Sequence, residues 1–250
     1  MSVVENAGPV SAGLKQGARA PTPAIEPRRA PCRSGGFEIL AELERELPQY
    51  ALHHLDALFS GDPEVAWSLI KLAPDEFRGM VALAAYYLGT PNPGYREILS
   101  SVWSHDWRCL QNEVYGDLAF IRRMFRAGKS HVPFSGRLRI YRGAAGVDLR
   151  TASQGISWTT SRDVACWFAM RNAFGDRPPI VVTASVDASW ISYYSDERSE
   201  AEVVLRRRIR AEVDADPASW EAASERNTLR NLDLEAQMLK QLAQKYSLEH

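Results

Sequence analysis

Between residues 37 and 128 the apolar positions step by three and four, the period of a helix with one buried face. Phe37, Leu40, Leu43, Leu47, Ala51, Leu55 and Leu58 form the first such run, and Pro48 predicts a kink or split within it. Asp62-Pro63 reads as an N-cap followed by proline in the first turn, opening a helix through Trp67, Ile70 and Leu72. Pro74-Asp75-Glu76 opens another that runs to Leu88, where Gly89 and Pro91 stop it. A fourth helix is predicted from Tyr95 to about Ser104, and a fifth over Cys109–Phe125, closed by Gly128. Trp103 and Trp107 are read as a core stripe of this lobe.

At Phe134 the period changes to two. Arg137-Leu138-Arg139-Ile140-Tyr141-Arg142 alternates as a half-buried strand does, with Gly143 as its end. Gly155–Thr160 is a second short strand, and Ser161-Arg162-Asp163 is the cap and first turn of an apolar helix over Val164–Ala169. Pro179–Val186 and Glu202–Leu205 are further strands, the latter extendable to Ile209. Leu229, Leu232, Ala236, Leu239, Ala243 and Tyr246 predict a C-terminal helix. Fewer than four heptads are present, so packing on the domain is preferred to a coiled coil.

Residues 1–36 contain no aromatic residue and five prolines. Such a segment buries too little apolar surface to offset its chain entropy and reads as a disordered tail, plain or used as a translocation signal. The expected organisation is therefore a tail over 1–36, a helical lobe over 37–130 and a sheet-bearing core over 131–247. Leu248-Glu249-His250 resemble the start of a purification tag.

Composition narrows the function classes. The 250 residues are 45% hydrophobic and 24% charged, ordinary for a globular protein. No apolar run reaches membrane-spanning length, and no apolar stretch behind a basic start suggests a cleaved signal, so a soluble protein is expected. The expected location is the cytoplasm, or outside the cell by secretion or injection without a cleaved signal. Net charge is −1, and the basic run Arg206–Arg210 is followed by Glu212, Asp214 and Asp216, so no nucleic-acid partner is expected. Cys32, Cys109 and Cys166 are distant from one another, and His53, His54 and His105 lack ligand spacing, so no disulfide framework or metal site is expected. Gly-x-Ser-x-Gly and Walker-type loops are absent.

Three short strands carry candidate chemistry in order: Tyr141-Arg142-Gly143, then Ser157-Trp158-Thr159-Thr160-Ser161, then Glu200-Ala201-Glu202-Val203-Val204. Each alone is common. Their order and spacing, with a helix directly after the second, resemble the Arg–Ser–Glu class of mono-ADP-ribosyltransferases, many of them bacterial toxins and effectors, over residues 134–210. The resemblance implies an α+β fold, with an ADP-ribosyltransferase-like split antiparallel sheet and an N-terminal helical lobe. It implies NAD as the cofactor, held in the cleft between the sheet halves, and an arginine on a target protein as acceptor.

The resemblance also distributes roles. Glu202, the second Glu of Glu-x-Glu, would stabilise positive charge developing on the ribose, a form of electrostatic preorganisation. Arg142 would hold NAD oxygens through its fork of donors, and Gly143 would let nicotinamide approach the backbone. Ser157 would bind ribose or orient Glu202, and Thr159 takes the third position of the motif. Glu200, two residues from Glu202 on a strand, would face the same pocket and prepare the acceptor guanidinium. Tyr193 and Tyr194 fall in the stretch before Glu-x-Glu, where the family recognises its acceptor. Trp158 replaces a small hydroxyl residue; it is expected in the core, and in the pocket it would narrow the space for NAD. Two other functions share these motifs: a catalytically inactive protein of this fold that binds an arginine-containing peptide, and an NAD glycohydrolase.

Overall fold

Proline and glycine set the helix boundaries of the N-terminal lobe. The structure, a computed structural model, describes residues 35–128 and 130–248. The tail through residue 34, Cys32 included, and the last two residues of the tag-like end lie outside the described residues. The first apolar run splits at Pro48 between α1 (Gly36–Glu46) and α2 (Gln49–Leu52), and a turn over 53–56 separates α2 from α3 (Ala57–Ser60). Asp62 caps α4 (Pro63–Leu72), its Oδ1 accepting from the Glu64 amide at 2.8 Å. Helix α5 (Asp75–Leu88) ends at Gly89, whose φ of 70° is the left-handed stop that glycine adopts without penalty.

The next two helices differ from expectation. Helix α6 (Gly94–Glu113) joins the fourth predicted segment to the beginning of the fifth, bending at Asp106, which leaves helical geometry and binds Arg78 at 2.8 Å. The bend separates the two tryptophans: Trp103 is buried, whereas Trp107 is 40% exposed. Helix α6 then stops because Tyr115 and Gly116 both take positive φ. Asp117 restarts the chain as α7 (Leu118–Gly128), accepting from the Ala119 and Phe120 amides.

The remainder is a six-stranded antiparallel sheet with helices on it, so the protein is α+β. Strand β1 (Arg137–Ala145) does not end at Gly143 but continues two residues, because its full length pairs with β3. The next elements are α8 (Leu149–Gln154), β2 (Ser157–Thr159), α9 (Arg162–Arg171) and β3 (Pro179–Asp187). They are followed by β4 (Ile191–Ser195), β5 (Glu202–Leu205), β6 (Glu212–Val213) and α10 (Trp220–Leu248). The spatial order is β4-β5-β2-β1-β3-β6. β1 and β2 meet at one register pair, Tyr141 opposite Thr159. The sheet is thus continuous but narrowly joined at its centre.

One face of the β4-β5-β2 side shares a core with the lobe, since Ile156, Tyr193 and Val204 pack in the same cluster as the lobe leucines. On the β1-β3 side, α9 and the start of α10 pack through Ala165, Ala169, Val181, Trp220 and Ala223. Arg162 and Trp220 both bind Asp214 there. The expected packing of the C-terminal helix holds only for its first turns: Leu229, Leu232, Leu239 and Leu242 are exposed. No helix among the described residues is long and apolar enough to cross a membrane.

Gly143 is the closest contact between α9 and the sheet. A Cβ there would stand 1.9 Å from the Ala165 carbonyl oxygen and 2.6 Å from the Ala169 nitrogen, both backbone atoms. Its first duty is packing. Gly143→Ala is expected to destabilise the protein by about 3 kcal/mol, the upper range for overpacking, because helix backbone cannot rotate away as a side chain can. Urea unfolding measures this; an unchanged midpoint would refute the packing role.

Candidate functional site

The cavity opens where the lobe, α9 and the β1–β2 junction converge. Its volume is about 540 Å³, within the range of small-ligand sites. Trp107, Tyr141 and Phe168 give it aromatic walls, and Arg108, Arg142, Arg171 and Arg198 stand against Glu200 and Glu202. Four guanidiniums and two carboxylates suit a ligand carrying phosphate beside an uncharged or cationic portion.

Glu202 opens β5 opposite Thr159 of β2 and is 7% exposed. Its Oε1 accepts from Ser157 Oγ in a short hydrogen bond and from Trp103 Nε1 at 2.9 Å. Its Oε2 faces Arg198 Nη2 at 3.9 Å. One oxygen is therefore held by neutral donors, while the other looks toward a cation. Ser157 orients Glu202, one of the two roles expected of it. Trp103 was missed as a site residue: helical spacing marks it only as core, and its partner lies 99 residues away.

Glu200 reaches the cavity by a different route from the one expected. Strand β5 begins at Glu202, so alternation along a strand does not align the pair. Ser199 and Ala201 flank Glu200 at φ 54° and 46°, the left-handed region that non-glycine residues rarely occupy. Local bonds hold that conformation: Thr159 Oγ1 donates to the Glu200 carbonyl at 2.6 Å, and the Ala201 amide donates to Asp196 Oδ1 at 2.9 Å. The hydroxyl of Thr159 also accepts from the Ser161 amide, so it anchors this loop, and Thr159 is part of the cavity wall. Burial pushes the Glu200 carboxyl above its ordinary value, Arg198 pulls it back, and Glu202 adds to the rise.

Arg142 crosses the central junction. Its Nη1 donates to the Ser157 carbonyl at 2.6 Å, bridging β1 and β2 beside their single register pair. A Cβ on Gly155 would fall 2.3 Å from the Arg142 guanidinium carbon, so Gly155 leaves the space that guanidinium fills. Burial lowers the Arg142 pKa, and Glu202 opposes the shift. Its Nε is buried without a hydrogen-bond partner among the described residues. Arg142 also lines the cavity, where its guanidinium charge suits an anionic group.

Gly143 lines the cavity, although α9 accounts for its missing side chain. Trp158 packs in the core at 2% exposure, its indole donating to the Gly155 carbonyl, and the residue also forms part of the cavity wall. Tyr193 and Tyr194 are not among the residues that line the cavity. They belong to β4, a strand absent from the expected elements; Tyr193 is buried against Phe125 at 5.1 Å and Tyr194 packs on Phe134 at 5.0 Å. Ile191-Ser192-Tyr193 alternates apolar and polar, and with Tyr194 the run is rich in β-branched and aromatic residues, the signal that could have identified the strand. No family model, curated protein or solved structure matches the chain.

Trp103→Phe keeps the ring against Phe125 and removes the donor to Glu202. Hydrogen bonds to charged groups contribute about 1.5–3 kcal/mol, so a loss of that size is expected in denaturant unfolding. A double-mutant cycle with Glu202→Gln checks the pairing: a coupling energy of zero would show that the indole does not hold the carboxylate.

Proposed function

We propose that the protein is an NAD-dependent mono-ADP-ribosyltransferase that modifies arginine on a target protein, with an ADP-ribosyltransferase-like fold. The observation that carries this reading is the opposition within one cavity of paired carboxylates, Glu200 and Glu202, to a buried and partly unsatisfied Arg142. The order of the motifs that carry these residues in the sequence is in keeping with it. A role as a bacterial toxin or effector rests on the resemblance alone.

NAD supplies the ribose and its bond to nicotinamide, the bond that the reaction exchanges. Arg142, a residue of the cavity wall, holds an anionic portion of that substrate through its guanidinium charge. Glu202 places one carboxylate oxygen, unencumbered by Ser157 and Trp103, toward the carbon on which positive charge develops. A fixed carboxylate needs no reorganisation at that moment, the usual source of large electrostatic effects. Glu200 accepts a proton from the acceptor guanidinium, which is a poor nucleophile while fully protonated. Trp107 and Phe168 offer apolar surface to planar rings. The peptide-binding alternative needs the same two glutamates but no NAD.

Nicotinamide release and transfer of labelled ADP-ribose to lysate proteins test the reading. Wild type is expected to label arginine. Glu202→Gln is expected to lower both release and transfer by about 10²–10³-fold, the scale for loss of one electrostatic stabiliser. Glu200→Gln is expected to abolish transfer and retain NAD hydrolysis. Failure of wild type to bind or cleave NAD overturns the reading in favour of peptide binding, and hydrolysis without any transfer favours a glycohydrolase.

The pH profile gives a second test. Glu200 must be ionised to accept a proton, and burial raises its pKa above the ordinary 4.5. Transfer to arginine is therefore expected to fall with acidification at a pH above 4.5, while residual hydrolysis in Glu200→Gln lacks that limb. An acid limb of kcat/KM below 4.5 would remove Glu200 from the role of base.

A further inference from the structure

The acceptor side of the cavity already contains a guanidinium. Arg198 Nη2 lies 2.8 Å from Glu200 Oε2 and 3.9 Å from Glu202 Oε2. Its Nη1 donates to the Ser104 carbonyl of the lobe at 2.6 Å. The side chain thus bridges from the β4–β5 loop to α6 and presents one nitrogen to both carboxylates. The loop that carries it is pinned on each side of Arg198. Asp196 binds the Ala201 amide through its carboxylate and the Ser199 amide through its carbonyl, and Arg230 binds the Ser199 carbonyl. This is the arrangement a target arginine would need to reach Glu200, supplied here by the chain itself.

We infer that Arg198 is an internal acceptor: with NAD bound, the protein modifies its own Arg198, and until then Arg198 competes with external arginines for the two glutamates. The inference rests on the proposed transferase reading. The chemistry balances with NAD as the only co-reactant. The bond between nicotinamide nitrogen and ribose carbon breaks, and nicotinamide leaves neutral with the electron pair. A guanidinium proton of Arg198 passes to the Glu200 carboxylate and on to solvent. The Nη2 lone pair then forms the new bond to the ribose carbon, leaving a substituted guanidinium. That product carries a bulky diphosphate, which does not fit the Arg198–Ser104–Glu200 bridge, so self-modification also clears the acceptor position.

Two measurements test this on the full chain. Purified wild type incubated with NAD alone is analysed by intact mass and by fragmentation of its peptides. One ADP-ribose is expected on the peptide carrying Arg198, formed at a rate independent of protein dilution, and Arg198→Lys is expected to abolish it. Independently of NAD, agmatine serves as a small guanidinium probe in calorimetry. Removing an internal competitor exposes the full intrinsic affinity, so Arg198→Ala is expected to bind agmatine about tenfold more tightly than wild type. Equal agmatine affinity in the two proteins overturns the inference. So does transfer from NAD to agmatine with Arg198 left unmodified, an outcome that spares the transferase reading. Absence of any NAD cleavage overturns both.

Discussion

The hydrogen bonds accepted by one buried carboxylate organise the molecule. Glu202 belongs to the sheet by its backbone, yet its Oε1 is shared between Ser157 of the neighbouring strand and Trp103 of the helical lobe. A carboxylate at 7% exposure is costly unless such donors meet it. Satisfying it requires β2 and β5 in register and α6 lying across them at a fixed height. The same requirement brings Trp107 and Arg108, just past the bend in α6, to the cavity wall. Lobe and core are thus parts of one site, joined by a polar contact as well as by the apolar cluster beneath it.

The second organising feature is the junction between β1 and β2. Where two strands share one register pair, neighbouring backbone groups must find other partners. Arg142 supplies one by donating to the Ser157 carbonyl. A side chain that stands in for a missing ladder bond is held rigidly, and its remaining donors are therefore presented in a defined direction. The structural job and the proposed binding job of Arg142 have the same cause.

Much of this was legible in the sequence because local rules and burial agreed. Pro48, Asp62-Pro63 and Gly89 punctuate the lobe where the helices break, and Ser161 caps α9 as its position suggests. Arg142, Ser157, Glu200 and Glu202, the residues that the family resemblance singles out, all line one cavity. The errors arise where tertiary contacts overrule local pattern. Asp106 leaves helical geometry and binds Arg78, and past this bend Trp107 lies outside the expected stripe. Pairing with β3 carries β1 past Gly143. Glu200 reaches the cavity through two left-handed residues, a conformation that no propensity predicts for Ser199 and Ala201. Trp103 has no local signal for its role, because that role depends on a carboxylate distant in the chain.

The narrow junction of the sheet has a further consequence for how the protein opens. One face divides its packing, with the β4-β5-β2 strands attached to the lobe and the β1-β3 strands attached to α9 and α10. The opposite face carries one cluster that spans both groups, including Ile140, Trp158, Val182 and Val203. Such a body has a hinge line along its back and a seam along its front. Sub-global unfolding follows the boundaries of cooperative packing. Amides flanking the seam therefore exchange with solvent through a shared separation of the two halves, and a ligand seated across it protects amides on both sides at once, far beyond those it touches.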